Sequence, residues 1–110
     1  MSDTGSHELP EKVIISYRLI SETSVDAFER WSKEIDQPQL LKQPAVRSYQ
    51  VLKVDPGDDT TQPHFIEEIE IESRAAWDEA RETEEVRRLL REWEAFCDPE
   101  SVRVIYTRPL

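Results

Sequence analysis

His64-Phe65-Ile66-Glu67-Glu68-Ile69-Glu70-Ile71-Glu72 decides the architecture of this chain. Side chains on a strand alternate between faces, so this segment presents two different rows. Phe65, Glu67, Ile69 and Ile71 form one row, three of the four apolar, suited to the side beneath helices. His64, Ile66, Glu68, Glu70 and Glu72 form the other, too polar for a dry core. One face of the sheet is therefore covered and the other is open.

The neighbouring segments fit that plan. Asp55–Pro63 (DPGDDTTQP) is a turn-forming connection, and Val46–Val54 (VRSYQVLKV) before it reads as a strand, so the two strands close a long hairpin. Downstream, Ser73 is placed to cap a short helix carrying Ala76, Trp77 and Ala80. Thr83 restarts a helix whose apolar stripe is Val86, Leu89, Leu90, Trp93 and Phe96. Asp98-Pro99 stops it, and Val102–Thr107 makes a last strand. At the other end, Val13–Ile20 is a first strand with Val13, Ile15, Tyr17 and Leu19 as its more apolar row. Ser21–Ser24 supplies capping oxygens for a helix in which Ala27, Phe28, Trp31 and Ile35 recur at helical spacing. Pro38 is expected to end that helix, with Gln39–Pro44 as an irregular turn.

The order is β-α-β-β-α-β, the split βαβ or ferredoxin-like arrangement of the α+β class. Right-handed crossovers place both helices on one face of a four-stranded antiparallel sheet, with strand order 4-1-3-2. Residues 12–110 form one domain, and residues 1–11 read as a flexible leader.

Composition narrows the function. The chain has 110 residues, with 24 acidic against 14 basic side chains and a formal net charge of −10. Such a balance argues against nucleic acid and against an anionic membrane surface as partners. No run of about 18 apolar residues exists to span a membrane. One cysteine, Cys97, fits a cytoplasmic location. The hydrophobic fraction, 37%, is thin for a self-sufficient core, which favours a homodimer.

The open face is mixed: Ile14, Ile20 and Ile66 sit beside Arg18, His64 and glutamates. Two such faces would enclose a partly polar cavity between subunits; the alternative is a solvated sheet face. In that cavity His64 is a candidate for proton transfer near neutral pH. Glu68 and Glu70, two apart and on one face, would shift each other's pKa and provide an acid beside a base. Arg18 would bind substrate there, or pair with either glutamate in a structural network. Trp31 and Trp77 are candidates for stacking against an aromatic ligand. One histidine within the fold and one cysteine offer no plausible zinc or iron site, and no phosphate-cradling loop exists. Neither metal nor cofactor is expected.

Phe28-Glu29-Arg30-Trp31 through Asp36 to Pro38, then Pro44-Ala45-Val46-Arg47-Ser48-Tyr49-Gln50-Val51-Leu52, resembles the RedY-like (HapK-like) proteins. Phe65-Ile66-Glu67-Glu68-Ile69-Glu70-Ile71 and Glu92-Trp93-Glu94-Ala95-Phe96 extend the likeness, which runs from about Val13 to Thr107. The resemblance implies a dimeric α+β barrel, a homodimer of ferredoxin-like subunits from secondary metabolism. Its ligand would be a small aromatic heterocycle of bisindole or pyrrole type, and its activity a cyclisation, condensation or dehydration. Glu67 and Glu70 match the acidic positions of the pattern, which adds Glu67 to the substrate-binding candidates. Ser16 joins them at the position where a histidine is associated with relatives. A non-catalytic ligand-binding dimer and a cofactor-free monooxygenase are the competing readings. The second is more distant, because the chain contains no asparagine for the Asn-dependent site of some such oxygenases.

Overall fold

A computed structural model describes residues 11–110; residues 1–10, nearly all of the expected leader, lie outside the described part. The strands are β1 (Glu11–Tyr17), β2 (Val46–Lys53), β3 (Phe65–Ile71) and β4 (Arg103–Thr107). Glu11, assigned to the leader from sequence, already belongs to β1. The sheet order is β2-β3-β1-β4 with every neighbour antiparallel, as the element order requires. The helices α1 (Val25–Trp31), α2 (Gln37–Leu41), α3 (Arg74–Ala80) and α4 (Glu84–Glu94) cover one face. Ser73 and Thr83 cap α3 and α4 through their side-chain oxygens, at the positions expected.

The alternation in β3 holds along its length: Phe65, Glu67, Ile69 and Ile71 are buried, while Ile66, Glu68 and Glu70 are half-buried on the open side. Two apolar clusters meet beneath the helices. One gathers Val13, Tyr49, Ile69, Ile71, Trp77, Val86 and Leu89, and the other Tyr17, Leu19, Phe28, Phe65 and Cys97. Glu67 lies between Phe65 and Ile69 in the row, at the seam between these clusters.

Pro38 does not end the first helix. The chain widens into a π-helical turn over Ser32–Asp36 and continues as α2, with Pro38 in the first turn of the new segment. A proline there needs no N–H partner, and the wider turn relieves the clash of its ring with the preceding carbonyl. The extra residue also changes which side chains face inward. Phe28, Ser32 and Asp36 are buried, whereas Ile35, placed on the core face by helical spacing, is turned to the surface.

Phe28 is fully buried and packs against the rings of Tyr17, Trp31, Phe65 and Phe96. In urea denaturation Phe28→Ala should cost about 3–5 kcal/mol, a large share of a small domain's stability. Ile35→Ala should cost less than about 1 kcal/mol; a loss of 2–5 kcal/mol would show that the inward register had been misread.

Candidate functional site

The register of the sheet assembles a polar group inside the core. Glu67 stands opposite Ile15 on β1 and Val51 on β2. The diagonal neighbours on those strands are Tyr17, opposite Phe65, and Tyr49, opposite Ile69. A diagonal pair is within reach of a long side chain. The Tyr17 hydroxyl donates to Glu67 Oε2. The Tyr49 hydroxyl donates to Asp36 Oδ2 at 2.5 Å, which ties the π-helical turn to the sheet.

Both carboxyls are nearly inaccessible, Glu67 at 5% exposure and Asp36 at 6%. Burial raises the pKa of Glu67 to about 7, and the charge of Asp36 adds to the rise, while the Tyr17 hydrogen bond and the nearby Tyr49 hydroxyl oppose it. Burial likewise raises Asp36 to about 6, with Tyr49 opposing and the Glu92 carboxylate contributing. Both tyrosines are pushed up, chiefly by burial and then by Glu67, so they remain neutral donors. Near neutral pH the pair therefore holds a proton on one carboxyl while the other tends to be ionised, giving an acid and a base in one enclosure.

This enclosure opens into a cavity of about 60 Å3 between the sheet and the helices. Asp36, Tyr49 and Glu67 form its polar floor, Trp77 and Trp93 its aromatic walls, and Arg81 lies at its edge. A cavity that binds benzene measures about 150 Å3, so as closed it takes a few waters. An aromatic ring needs an outward movement of the wall.

The residues singled out from sequence are distributed differently. Trp77 lines the cavity and Glu67 is its central acid. Trp31 instead packs on Phe28 and Phe96 and donates its indole N–H to Glu92 at 2.7 Å. Glu68 and Glu70 face the open side, Glu68 at 3.9 Å from the Lys12 ammonium and Glu70 accepting from the Ser48 hydroxyl at 3.4 Å. Ser16 lies in the open-face row opposite Ile66. Arg18 does not pair with either glutamate. Glu68 stands opposite Ile14, four residues along β1 and so about 13 Å away, and the guanidinium bonds the Gln62 carbonyl instead. His64 is Arg18's neighbour, and its Nδ1 accepts from the Leu19 amide at 2.9 Å. Cys97 is buried and its thiol pKa is raised, chiefly by burial, which makes it unreactive.

Asp36, Tyr17, Tyr49 and Trp93 were not among the sequence candidates. Glu67 carried a signal, as the single acid in an otherwise apolar row. Tyr17 and Tyr49 carried a weaker one, as hydroxyls on buried rows of the strands either side. Asp36 carried none, because its inward position depends on the π-helical turn.

A one-sided βαββαβ layer with paired acids under its helices defines a ferredoxin-like α+β domain with an internal acid–base pocket. The family model that matches residues 11–110 is described as REDY-like protein HapK, and the chain belongs to that family. Among solved structures, HapK from Hahella chejuensis is 26% identical, with a TM-score of 0.80 over 91% of this chain and 92% of that one. An antibiotic biosynthesis monooxygenase is 23% identical, with a TM-score of 0.71 over 91% of this chain and 98% of that one. Hydroxynitrile lyase from Passiflora edulis is 13% identical, with a TM-score of 0.74 over 94% and 95% of the two chains. The last two likenesses show the fold alone. No curated protein matches the chain.

The raised Glu67 pKa sets a direction for stability against pH. A buried acid whose folded pKa lies above its unfolded value, here about 7 against 4.5, stabilises the fold fully below the unfolded value. That contribution is lost as pH rises through the folded value. Urea unfolding should show stability falling by about 2–3 kcal/mol between pH 4.5 and pH 8 from this group. Glu67→Gln should flatten that fall and be more stable than the parent at pH 8; a parent profile that rises across this window would contradict the assignment.

Proposed function

We propose that the protein is a natural-product biosynthesis protein that cyclises, condenses or dehydrates a small aromatic heterocyclic intermediate of bisindole or pyrrole type by acid–base catalysis. The observation that carries this reading is the pair of buried carboxyls, Glu67 and Asp36, joined through Tyr49 at the floor of a tryptophan-walled cavity. Family membership supports the setting.

The chemistry follows from the two acids. Protonated Glu67 donates to a carbonyl or to a departing hydroxyl, which leaves as water. Ionised Asp36 accepts a proton from the reacting carbon or ring nitrogen, directly or through the Tyr49 hydroxyl. Trp77 and Trp93 hold the ring plane, and exclusion of water strengthens both transfers. Because the closed cavity is smaller than a single ring requires, substrate enters by displacing the α3 side of the wall, where Arg81 is exposed.

The same reading includes a homodimer. β4 is exposed at all five positions, with Val104 at 49% and Ile105 at 56% on opposite faces of the strand. An apolar edge strand bare on both sides is an association surface, and the mixed open face continues it. His64, Glu68 and Glu70 would serve as an alternative acid–base set only if a second subunit enclosed that face.

Turnover of a bisindole or pyrrole substrate separates the possibilities. Glu67→Gln and Asp36→Asn should each lower the rate by about 10²–10⁴-fold while ligand binding is retained, and Glu68→Gln, Glu70→Gln and His64→Gln should change it by less than about threefold. The opposite pattern would move the chemistry to the open face. Unchanged rates in all five variants would favour a non-catalytic binding protein. Light scattering at micromolar concentration should give twice the 12.9 kDa chain mass; a mass near that of one chain would remove the dimer.

A further inference from the structure

The −10 chain gathers three basic side chains around one groove at the Phe65 end of β3. The groove measures about 350 Å3, far more than the buried cavity, and lies between the β1–α1 connection and the Asp55–Pro63 loop. Arg18, Lys53 and His64 supply its cationic and N–H groups. Val25, Val54 and Phe65 supply apolar wall. Glu22 is its one acid.

The basic groups are held in place by the fold. The Arg18 amide donates to the Ser101 hydroxyl at 2.8 Å, and its guanidinium is anchored on the Gln62 carbonyl. A guanidinium has five N–H donors, so this anchor leaves others for a ligand. Among the described residues, no carboxylate lies within ion-pair distance of Arg18. His64 is fixed through its backbone, donating to the Tyr17 carbonyl at 2.9 Å and accepting from the Val54 amide at 3.0 Å. Its Nδ1 is occupied as an acceptor from the Leu19 amide. That bond requires the neutral ring to carry its proton on Nε2, which leaves Nε2–H as a donor. Burial and then the Arg18 charge lower the His64 pKa, against a smaller opposing effect of Glu22, so this tautomer persists at neutral pH. Lys53 bonds Glu29 at 2.7 Å and retains further ammonium protons.

We propose that this groove is a second binding site, specific for an organic carboxylate. The acid accepts from Arg18 and from His64 Nε2–H, and the apolar body lies along Val25, Val54 and Phe65. The site is separate from the acid–base cavity: the two share none of their lining residues.

Phenylacetate, phenylacetamide and inorganic phosphate are suitable probes, with binding followed by the ¹⁵N resonances of the His64 ring and by titration calorimetry on the full chain. Phenylacetate should shift the Nε2 resonance and raise the pH midpoint of His64. Arg18→Gln should weaken it about tenfold, the loss of one charge-assisted hydrogen bond. His64→Gln, which keeps a side-chain N–H, should weaken it less than His64→Ala. Glu67→Gln, at a residue that lines the buried cavity and not the groove, should leave it unchanged. Equal binding of phenylacetamide would show that the charge is not read, and equal binding of phosphate would reduce the groove to a bare anion site. Either result overturns the proposal, as does Arg18→Gln binding like the parent. Loss of binding in Glu67→Gln would place the ligand in the buried cavity and overturn it too. Because catalysis is not a readout here, failure of the acid–base reading leaves these outcomes untouched.

Discussion

A carboxyl group in the middle of the core, Glu67, constrains almost everything packed around it. Moving an isolated carboxylate out of water costs far more than a small domain has to spare, so the group must be neutralised, hydrogen-bonded or both. Here the sheet supplies one phenol from each flanking strand, and the first helix supplies a second acid beyond Tyr49. The two apolar clusters meet at that acid, and the cavity sits where their packing is interrupted by it. Replacing Glu67 with an aliphatic residue would give a simpler core. Its presence in the core costs stability, most of all at a pH above its raised pKa.

The fold was readable because its signals are local and repetitive. The alternation in Phe65–Ile71, the capping residues Ser73 and Thr83, and the stripe from Val86 to Trp93 each point to one element, and their order leaves one common topology. The buried pocket was only partly readable. Glu67 and Trp77 are legible as candidates, whereas same-face spacing, which a sequence shows, singles out Glu68 and Glu70, and enclosure, which it does not show, singles out Glu67. Which of two neighbouring glutamates lies under the helices is a matter of burial, and burial gives Glu67 its raised pKa. Asp36 could not be found by helical periodicity at all, since a wheel with 3.6 residues per turn puts Ile35 inside in its place. Arg18 illustrates a third limit: adjacency of strands is legible from topology, but the stagger along them decides which residues meet.

The two faces of the sheet divide the labour of the molecule. Beneath the helices, polar groups are few, paired and shielded, so their protonation responds strongly to small changes in surroundings. On the other face and at the hairpin end, Lys12, Arg18, His64, Glu68 and Glu70 are half-exposed or exposed, and solvent screens them. Charge there is screened; charge within the core is not.

The π-helical turn at Ser32–Asp36 makes the acid pair depend on helical phase. The turn holds one residue more than an α-helical path from Phe28 to the core face needs, and that residue carries Asp36 to the inward position. Were the same residues wound as an ordinary α-helix, Ile35 would swing into the core and Asp36 toward solvent, leaving a more apolar interior with Glu67 deprived of its partner. Deleting one residue from the turn would act the other way, taking up the slack while Asp36 stays inside. The pairing of the two acids is thus set by the pitch of one turn, with neither Glu67 nor Asp36 altered.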